Sequence, residues 1–165
     1  MSRKRFNEMN CGIAQTLDVL GDWWTLLIVR DAFFGLRRFS DFQENLGIAK
    51  NILSARLRRL VDKGILVRVD AGSTGPRHEY QLTDKGEALL PLLMALRDWS
   101  DQWVFGPGHE PVVVVERATG KRVPPLTVRN ADGRALARRA LRTMPGPGAS
   151  DETLQRLLST RASHR

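Results

Sequence analysis

Side chains that can pair with base edges and phosphates gather on one face of the segment 50–62. At 100° per residue, Asn51, Ser54 and Arg58 fall together opposite an apolar face, and Lys50 lies at the exposed amino end. An arginine can bind guanine, and an asparagine can bind adenine, through two hydrogen bonds each. We therefore predict that these four residues contact DNA bases. A solvated helix face without a partner is the alternative for any basic cluster of this kind.

Other basic and polar side chains lie on the flanks of this segment and beside it in the sequence. Those that precede it can contact phosphates, because the first helix of such a motif crosses the DNA backbone. Those that follow it can enter a minor groove or bind a phosphate, and an exposed turn with incidental charge is the alternative. The predicted contacts to the backbone and groove edges are Arg37, Arg38, Ser40, Arg56, Arg59, Arg68, Arg77 and His78.

Apolar periodicity and stop signals predict the elements that position these side chains. Each of four apolar-periodic runs is followed by a glycine, which commonly ends a helix. Ser40 and Gln43 form an S-x-x-Q capping pattern that opens the third run. The predicted helices cover residues 13–20, 23–34, 40–46 and 50–63.

A β-hairpin and a long helix follow these four helices. Strands are predicted at 66–70 and 79–82, and the glycine-rich residues 71–77 join them. Thr83 is placed to cap a long helix, in which Pro91 predicts a kink because proline removes a backbone donor.

The tight turn 47–49 joins a short helix to a longer one, and this arrangement is typical of a helix-turn-helix motif. The hairpin after it would be a wing. The sequence thus predicts a mainly α-helical fold with a small β-hairpin, a winged helix-turn-helix DNA-binding domain over residues 6–104. Residues 105–165 are predicted to form a small basic C-terminal appendage of a hairpin and helices.

Composition supports nucleic acid as a partner and argues against other classes. The 165 residues carry 26 Lys and Arg against 18 Asp and Glu, a net charge of +8, which favours polyanions. One cysteine excludes an internal disulfide and a four-thiolate zinc site. Apolar runs are too short to span a bilayer and no secretory signal is evident, so we expect a cytoplasmic protein without membrane contact.

Residue patterns for catalysis, metal binding or nucleotide binding do not stand out in the sequence. The three histidines have no metal-ligand spacing, and no Ser/His/Asp or Cys/His set is evident. The run 119–121 lacks the first glycine and the helix of a phosphate-binding loop. We therefore predict no enzyme activity, no cofactor and no metal.

Several short motifs stand out along the winged-helix part of the chain. They are Cys11 followed by LDVLGDWWTLLI (17–28), RFSDF (38–42), LGI (46–48), LSARL (53–57), GIL (64–66) and EYQLTDKG (79–86). With these motifs the chain resembles the HxlR-type bacterial transcription regulators over about residues 6–104, and Pro91 and Trp99 also fall where that family has them. Ala49 departs from the family, which often has a helix-capping serine there, and that loss costs on the order of 1 kcal/mol.

The resemblance implies a winged-helix homodimer, related in architecture to the MarR group, whose first and last helices form the interface. The remaining aromatic residues near the amino end, Trp23, Trp24, Phe33 and Phe34, are expected to form core. The expected dimer interface residues are Leu17, Leu92, Leu96, Trp99 and Trp103.

The one cysteine, Cys11, is common at this place in the family and senses oxidants or electrophiles in some members. A thiol at a helix amino terminus has a lowered pKa and a raised thiolate fraction. An intersubunit disulfide, a mixed disulfide and alkylation are the available chemical changes. The alternative is a small buried apolar residue.

The appendage resembles a small cysteine-bearing ribbon that some HxlR-type proteins carry. In that pattern cysteines fall near Thr119, Arg129 and Asp132, and their absence implies that any metal site is lost. A strand at 112–115 is expected to pair with 126–129.

Two more helices are predicted towards the carboxyl end. The arginines recurring from Arg134 to Arg142 predict a basic amphipathic helix, which would either add phosphate contacts or pack on the winged helix. Asp151 is placed to cap a last short helix, with residues 159–165 frayed.

The sequence therefore predicts a homodimeric transcription regulator that reads a pseudo-palindromic operator through the helix 50–63 and the wing 66–82. Its partners would be double-stranded DNA, a second copy of the chain, and an unidentified small-molecule or redox effector. The alternative is a winged-helix protein–protein interaction module whose basic tail binds an acidic partner.

Overall fold

The structure is a computed structural model, and it describes residues 6–70 and 78–162. The chain divides into two compact units, one made of residues up to 19 and from 127 onward, the other of residues 20–126. The domain division after residue 104 stays a prediction. Arg77 and the turn 71–77 lie outside the described residues.

The elements follow the predicted order. The helices are α1 (Gly12–Leu20), α2 (Trp23–Phe33), α3 (Phe39–Leu46), α4 (Lys50–Asp62), α5 (Asp84–Glu87), α6 (Leu90–Ser100) and α7 (Asp151–Ala162). The strands are β1 (Leu66–Asp70) and β2 (His78–Leu82). A π-helical turn, Asp101–Phe105, continues α6, and 3-10 turns cover Phe6–Glu8 and Arg138–Ala140.

The core of the unit 20–126 lies between α2, α3, α4 and the start of β1. Leu53, Leu57 and Leu60 recur at helical spacing on α4 and are buried there. Phe42 of α3 is fully buried and meets the ring of Tyr80 edge-on, with centroids 6.5 Å apart. Burying each such side chain contributes about 1.5–3 kcal/mol, so the apolar face of α4 holds it in place.

The turn between α3 and α4 has the geometry that its glycine predicts. Gly47 adopts φ +59°, and its amide donates to the carbonyl of Gln43 at 3.0 Å. The left-handed backbone conformation that often follows a helix has a low energetic cost for glycine, because glycine has no Cβ. The chain then enters α4 at Ala49, where no side chain caps the helix.

The capping pattern at Ser40 was predicted wrongly. The helix begins one residue earlier, with Arg38 at the cap position and no side-chain cap. The Ser40 hydroxyl donates instead to Asp41 Oδ1 at 3.0 Å. The reason is that Arg38 is extended and bridges to Glu79 of β2, so the helix begins directly after this bridge.

The wing is a two-stranded antiparallel sheet with Leu66 opposite Leu82 and Asp70 opposite His78. The Arg37–Arg38 segment adds a third short stretch, because the Tyr80 amide donates to the Arg37 carbonyl at 2.8 Å. Both arginines just before α3 are therefore fixed by their backbone to the wing.

The long last helix is interrupted rather than kinked. Thr83 caps α5 by accepting from the Gly86 amide at 3.1 Å, as predicted. The helix stops after Glu87, and Pro91 lies in the first turn of the new helix α6. Proline is tolerated in a first turn, whose amides have no intrahelical acceptors, so the chain begins a second helix there.

Two of the four aromatic residues expected in the core are exposed. Trp23 is 73% exposed and Phe34 is 60% exposed, whereas Trp24 and Phe33 are half-buried. The buried face of α2 is formed by Thr25, Ile28 and Val29 at spacings i, i+3 and i+4. Trp23 lies off that face at the first turn, and Phe34 follows the last one.

The predicted pairing of 112–115 with 126–129 is wrong. Val115 bridges to Arg122 and Arg129 bridges to Ala135, so each stretch folds back on the residues that follow it. Gly120 and Gly133, both at positive φ, lie in these two tight turns. Short local turns close at a lower entropic cost than a longer loop.

The predicted basic helix from Arg134 to Arg142 is also wrong. The Leu136 amide donates to the Val128 carbonyl, which ties this stretch into the second turn, and only residues 138–140 form a 3-10 turn. A last helix was predicted correctly, but Ser150 rather than Asp151 caps it, and the prediction that residues 159–162 are frayed is wrong because they continue the helix. The Ser150 hydroxyl oxygen accepts from the Thr153 amide at 3.3 Å, and α7 extends to residue 162.

Candidate nucleic-acid interface

The exposed face of α4 carries the predicted base-contacting residues. Lys50, Asn51, Ser54 and Arg58 are all exposed, opposite the buried leucines of the same helix. Ala55 is exposed beside them, so small side chains leave the backbone of α4 accessible between the longer ones. The helix therefore presents side chains of the types that pair with base edges in a major groove.

Arg56 and Arg59 are placed differently from this exposed face. Arg56 forms an ion pair with Asp22 Oδ2 at 2.5 Å, and both side chains are mostly buried. Arg59 is half-buried, and its guanidinium lies over Gly21. These two arginines therefore contact the turn that precedes α2, and their assignment as phosphate contacts stays only a prediction.

A buried carboxylate joins α2 to α3. Asp31 is fully buried, and it accepts hydrogen bonds from Arg30 Nε at 2.9 Å and from Asn45 Nδ2 at 2.8 Å. A buried charge is tolerated when it is paired and hydrogen-bonded in this way. The pairing fixes the first helix of the helix-turn-helix motif on the helix that precedes it.

The wing residues are partly engaged within the chain. Arg68 is exposed on β1. His78 Nδ1 lies 2.5 Å from Asp70 Oδ1, and Arg38 Nε lies 3.5 Å from Glu79 Oε1. Arg37 is exposed and available beside Arg38. The wing and the start of α3 thus offer basic groups to DNA. Two of them, Arg38 and His78, would have to leave an acidic neighbour in order to bind a phosphate.

Cys11 occupies the cap position of α1, where its carbonyl accepts from the Gln15 amide at 3.0 Å. Hydrogen bonds from the Ala14 and Ile13 amides lower the pKa of the thiol against an opposing effect of burial, and the charge of Arg156 lowers it by the smallest of these contributions. This is the direction that a helix amino terminus imposes on a thiol. The thiolate is therefore more populated near neutral pH than that of an ordinary cysteine.

A groove of about 550 Å³ opens beside Cys11. Its floor is organised by Asn10, whose side chain donates to the Gly148 carbonyl at 3.0 Å and accepts from the Ser150 amide at 3.0 Å. Arg156 of α7 also lines it. Cys11 is half-buried and borders this open groove.

The residues expected at a dimer interface are large, apolar and exposed. Trp99 and Trp103 are 62% and 71% exposed. Leu17, Leu92 and Leu96 are exposed as well. Leu92, Leu96, Trp99 and Trp103 recur at spacings of four, three and four residues, and monomeric proteins seldom leave such a row of large apolar side chains uncovered.

An ion-pair cluster joins α6 to the stretch after it, and sequence reasoning missed it. Arg97 contacts Asp98 and Asp101, and Arg122 pairs with Glu110 at 2.8 Å. Burial raises the pKa of Asp98, but hydrogen bonds from the Leu126 amide and Arg97 outweigh it, so the pKa is lowered. Arg97, Asp98 and Asp101 are near one another in sequence, but Glu110, Arg122 and Leu126 are not, so no local pattern brings these two groups together.

Asp22 was also missed, although the sequence carries a signal for it. Its Oδ1 accepts from the Thr25 amide at 3.2 Å and caps α2. An aspartate just before an apolar-periodic run is a common helix cap. Its second role, the pair with Arg56, has no local signal.

Metal-binding clusters and membrane-spanning helices are absent from the described residues. These residues contain no cluster of three or more His, Cys, Asp or Glu side chains that would suit a metal ion. Among the same residues, no helix is both long enough and apolar enough to cross a membrane.

A tight-turned helix pair with an exposed polar second helix, followed by a wing, defines a winged helix-turn-helix DNA-binding protein. The family model for the HxlR-like helix-turn-helix matches residues 19–106, and the chain belongs to that family of transcriptional regulators. Its architecture is the winged helix that MarR-type regulators also have.

Relatives and solved structures agree with this assignment. The HTH-type transcriptional regulator Rv3095 of Mycobacterium tuberculosis is 38% identical over 82% of this chain and 86% of its own length. The crystal structure of the transcription factor PA1607 is 50% identical, with a TM-score of 0.80, over 87% of this chain and all of that one. The reduced redox regulator HypR is 29% identical, with a TM-score of 0.52, over 55% of this chain and 91% of that one.

Proposed function

We propose that this transcriptional regulator acts in the cytoplasm as a homodimer that reads a pseudo-palindromic operator with α4. The observation that carries the proposal is the exposed face of α4, where Lys50, Asn51, Ser54 and Arg58 stand opposite a fully buried leucine face. Recognition helices contact bases mainly through their amino-terminal half, and three of these four residues lie there. The chain needs no catalytic step or cofactor for this role.

The homodimer is supported by the exposed apolar side chains of α1, of α6 and of the π-helical turn that continues α6. A second copy of the chain would cover Leu17, Leu92, Leu96, Trp99 and Trp103, which otherwise remain in water. Two recognition helices in one dimer would then enter major grooves about 34 Å apart, one helical turn of DNA. The operator should accordingly have two related half-sites.

The proposal is tested by fluorescence anisotropy with a duplex that the wild-type protein selects from a random pool. A scrambled duplex at the same salt concentration gives the non-specific affinity. Arg58→Ala and Asn51→Ala should each weaken binding to the selected duplex by about 5- to 150-fold, since a two-hydrogen-bond base contact is worth about 1–3 kcal/mol. Binding to the scrambled duplex should change far less.

The matched control is Arg117→Ala, which removes the same charge from an exposed turn outside α4 and the wing. It should leave the ratio of the two affinities unchanged. If the wild-type protein selects no duplex, or if Arg58→Ala and Arg117→Ala behave alike, α4 does not read bases. The basic surface would then serve an acidic protein partner instead.

A response to oxidants through Cys11 is a second proposed function. It is supported by the lowered pKa and accessible groove of the thiol and by the likeness to a redox regulator. Mild oxidation should change operator affinity in the wild type and not in Cys11→Ser. Mass spectrometry distinguishes an intersubunit disulfide from a mixed disulfide after oxidation in the presence of a small thiol, and it detects alkylation after separate treatment with an electrophile. An identical response of Cys11→Ser would exclude the thiol as the sensor.

A further inference from the structure

Asp22 holds two elements at once with its two carboxylate oxygens. Oδ1 accepts from the Thr25 amide at 3.2 Å and from the Thr25 hydroxyl at 3.3 Å, which caps α2. Oδ2 pairs with the Arg56 guanidinium at 2.5 Å. The Asp22 side chain is 12% exposed and that of Arg56 is 29% exposed, so water screens this pair less than a surface pair.

Arg59 lies beside the same turn, three residues further along α4. Gly21 adopts φ +80°, and a Cβ added there would lie 3.4 Å from Arg59 Nε. Arg56 and Arg59 therefore lie on one side of α4, next to the consecutive residues Gly21 and Asp22. The buried leucine face sets which side of α4 packs on the core, and the Arg56–Asp22 pair adds a directional contact at one defined point.

We infer that Arg56 is a positioning residue, whose pair with Asp22 sets the rotation of α4 about its own axis and thereby its sequence discrimination. The inference rests on the proposed reading of bases by α4. A side-chain end about 6 Å from the helix axis moves about 1.5 Å when the helix turns by 15°. That displacement breaks a hydrogen bond, which needs a donor–acceptor distance near 3 Å.

The competing role for Arg56 is the phosphate contact predicted from the sequence. The two roles predict different dependences of the DNA-binding affinity on salt concentration and on DNA sequence. Losing a phosphate contact weakens binding to every duplex and lowers the slope of log affinity against log salt by about one. Losing a positioning contact leaves that slope unchanged and weakens only the binding that depends on base contacts.

The experiment compares Asp22→Asn, Arg56→Gln and the double variant with the wild type. Asparagine is as good a helix cap as aspartate, so Asp22→Asn removes the ion pair and keeps the cap of α2. Each protein is titrated with the selected and the scrambled duplex at four salt concentrations. Circular dichroism thermal melts report whether each variant is folded. Arg56→Lys tests whether a positive charge without the planar guanidinium group is sufficient to keep the preference for the selected duplex.

We expect each single variant to lower the ratio of selected to scrambled affinity by about tenfold, as for a lost base contact. The double variant should be no worse than either single one, because both remove the same pair. The salt slopes should stay at the wild-type value, and Arg56→Lys should restore part of the ratio. The negative charge lost in Asp22→Asn acts on both duplexes alike, so the ratio cancels it.

The inference is overturned if Arg56→Gln weakens both duplexes equally and lowers the salt slope by one while Asp22→Asn keeps the wild-type ratio. Additive effects of the two substitutions would overturn it as well. If the wild-type protein binds the selected and scrambled duplexes equally, the proposed function itself is refuted. If the wild type prefers the selected duplex and Asp22→Asn has the same preference, only the inference about Arg56 fails.

Discussion

Gly86 lies where α5 passes directly over the start of the wing, and an added methyl group has no room there. A Cβ at this position would lie 2.2 Å from the Ile65 carbonyl oxygen and 3.0 Å from Leu82 Cδ2. The same carbonyl accepts from the Thr83 amide at 3.1 Å. The obstacle is thus hydrogen-bonded backbone rather than a flexible side chain, and Gly86→Ala should destabilise the fold.

The geometry sets the size of the effect. Ordinary contact begins near 3.4 Å, so the backbone must separate by about 1 Å. Such overpacking costs about 1–3 kcal/mol, and losing the Thr83 hydrogen bond adds about 1 kcal/mol. Alanine returns about 1 kcal/mol of helix propensity. The expected net loss is about 2 kcal/mol, or a fall in melting temperature of about 4–8 °C for a chain of this length.

Thermal and urea unfolding followed by circular dichroism measure this loss. The control is Gly12→Ala, at the first position of α1, where nothing lies within 4 Å of the added Cβ and φ is not positive. The control should melt at or slightly above the wild-type temperature. A Gly86→Ala protein as stable as the wild type would refute the close packing of α5 on the wing.

Two further predictions concern titratable groups. The hydrogen bond from Arg122 lowers the pKa of Glu110. This interaction therefore stabilises the fold fully above the pKa of glutamate in the unfolded chain, near 4.3, and the stabilisation is lost as the pH falls through the pKa of Glu110 in the folded protein. The free energy of urea unfolding should therefore fall more steeply between pH 6 and pH 3 in the wild type than in Arg122→Gln. Equal slopes of this free energy against pH would contradict the prediction. Because Arg156 helps to lower the pKa of Cys11, Arg156→Gln should move the pH profile of iodoacetamide alkylation to higher pH, whereas the exposed control Arg142→Gln should not.

The winged-helix elements could be predicted from the sequence because their limits are set by local chemistry. Gly21, Gly47 and Gly64 each adopt positive φ directly after, or within two residues of, a helix end. The leucine spacing of α4 then fixed which face is buried, and hence which face carries Asn51 and Arg58. Local sequence contains both signals.

Other features depend on partners that are distant in the sequence. The helical wheel put Arg56 and Arg59 on the flanks of α4, and only the fold shows that Gly21 and Asp22 lie beside them. Likewise, the periodicity from Arg134 to Arg142 favoured a helix, but pairing of Leu136 with Val128 prevails. Isolated short helices are marginally stable, so one competing backbone contact decides the outcome.

The expected core position of Trp23 failed for a related reason. Hydrophobicity alone does not show whether a residue is buried within its own chain. On α2, the polar Thr25 is fully buried, whereas the apolar Trp23 two residues before it is exposed. A residue that faces a second chain would have the same sequence signal.

Methylation interference on the selected operator distinguishes reading of bases by α4 from binding to the DNA backbone alone. Dimethyl sulfate methylates guanine N7, which lies in the major groove where Arg58 would bind. We expect two clusters of interfering guanines with centres about 10 base pairs apart, and loss of interference at one guanine per half-site in Arg58→Ala. Binding that tolerates methylation throughout the operator would contradict the reading of bases by α4.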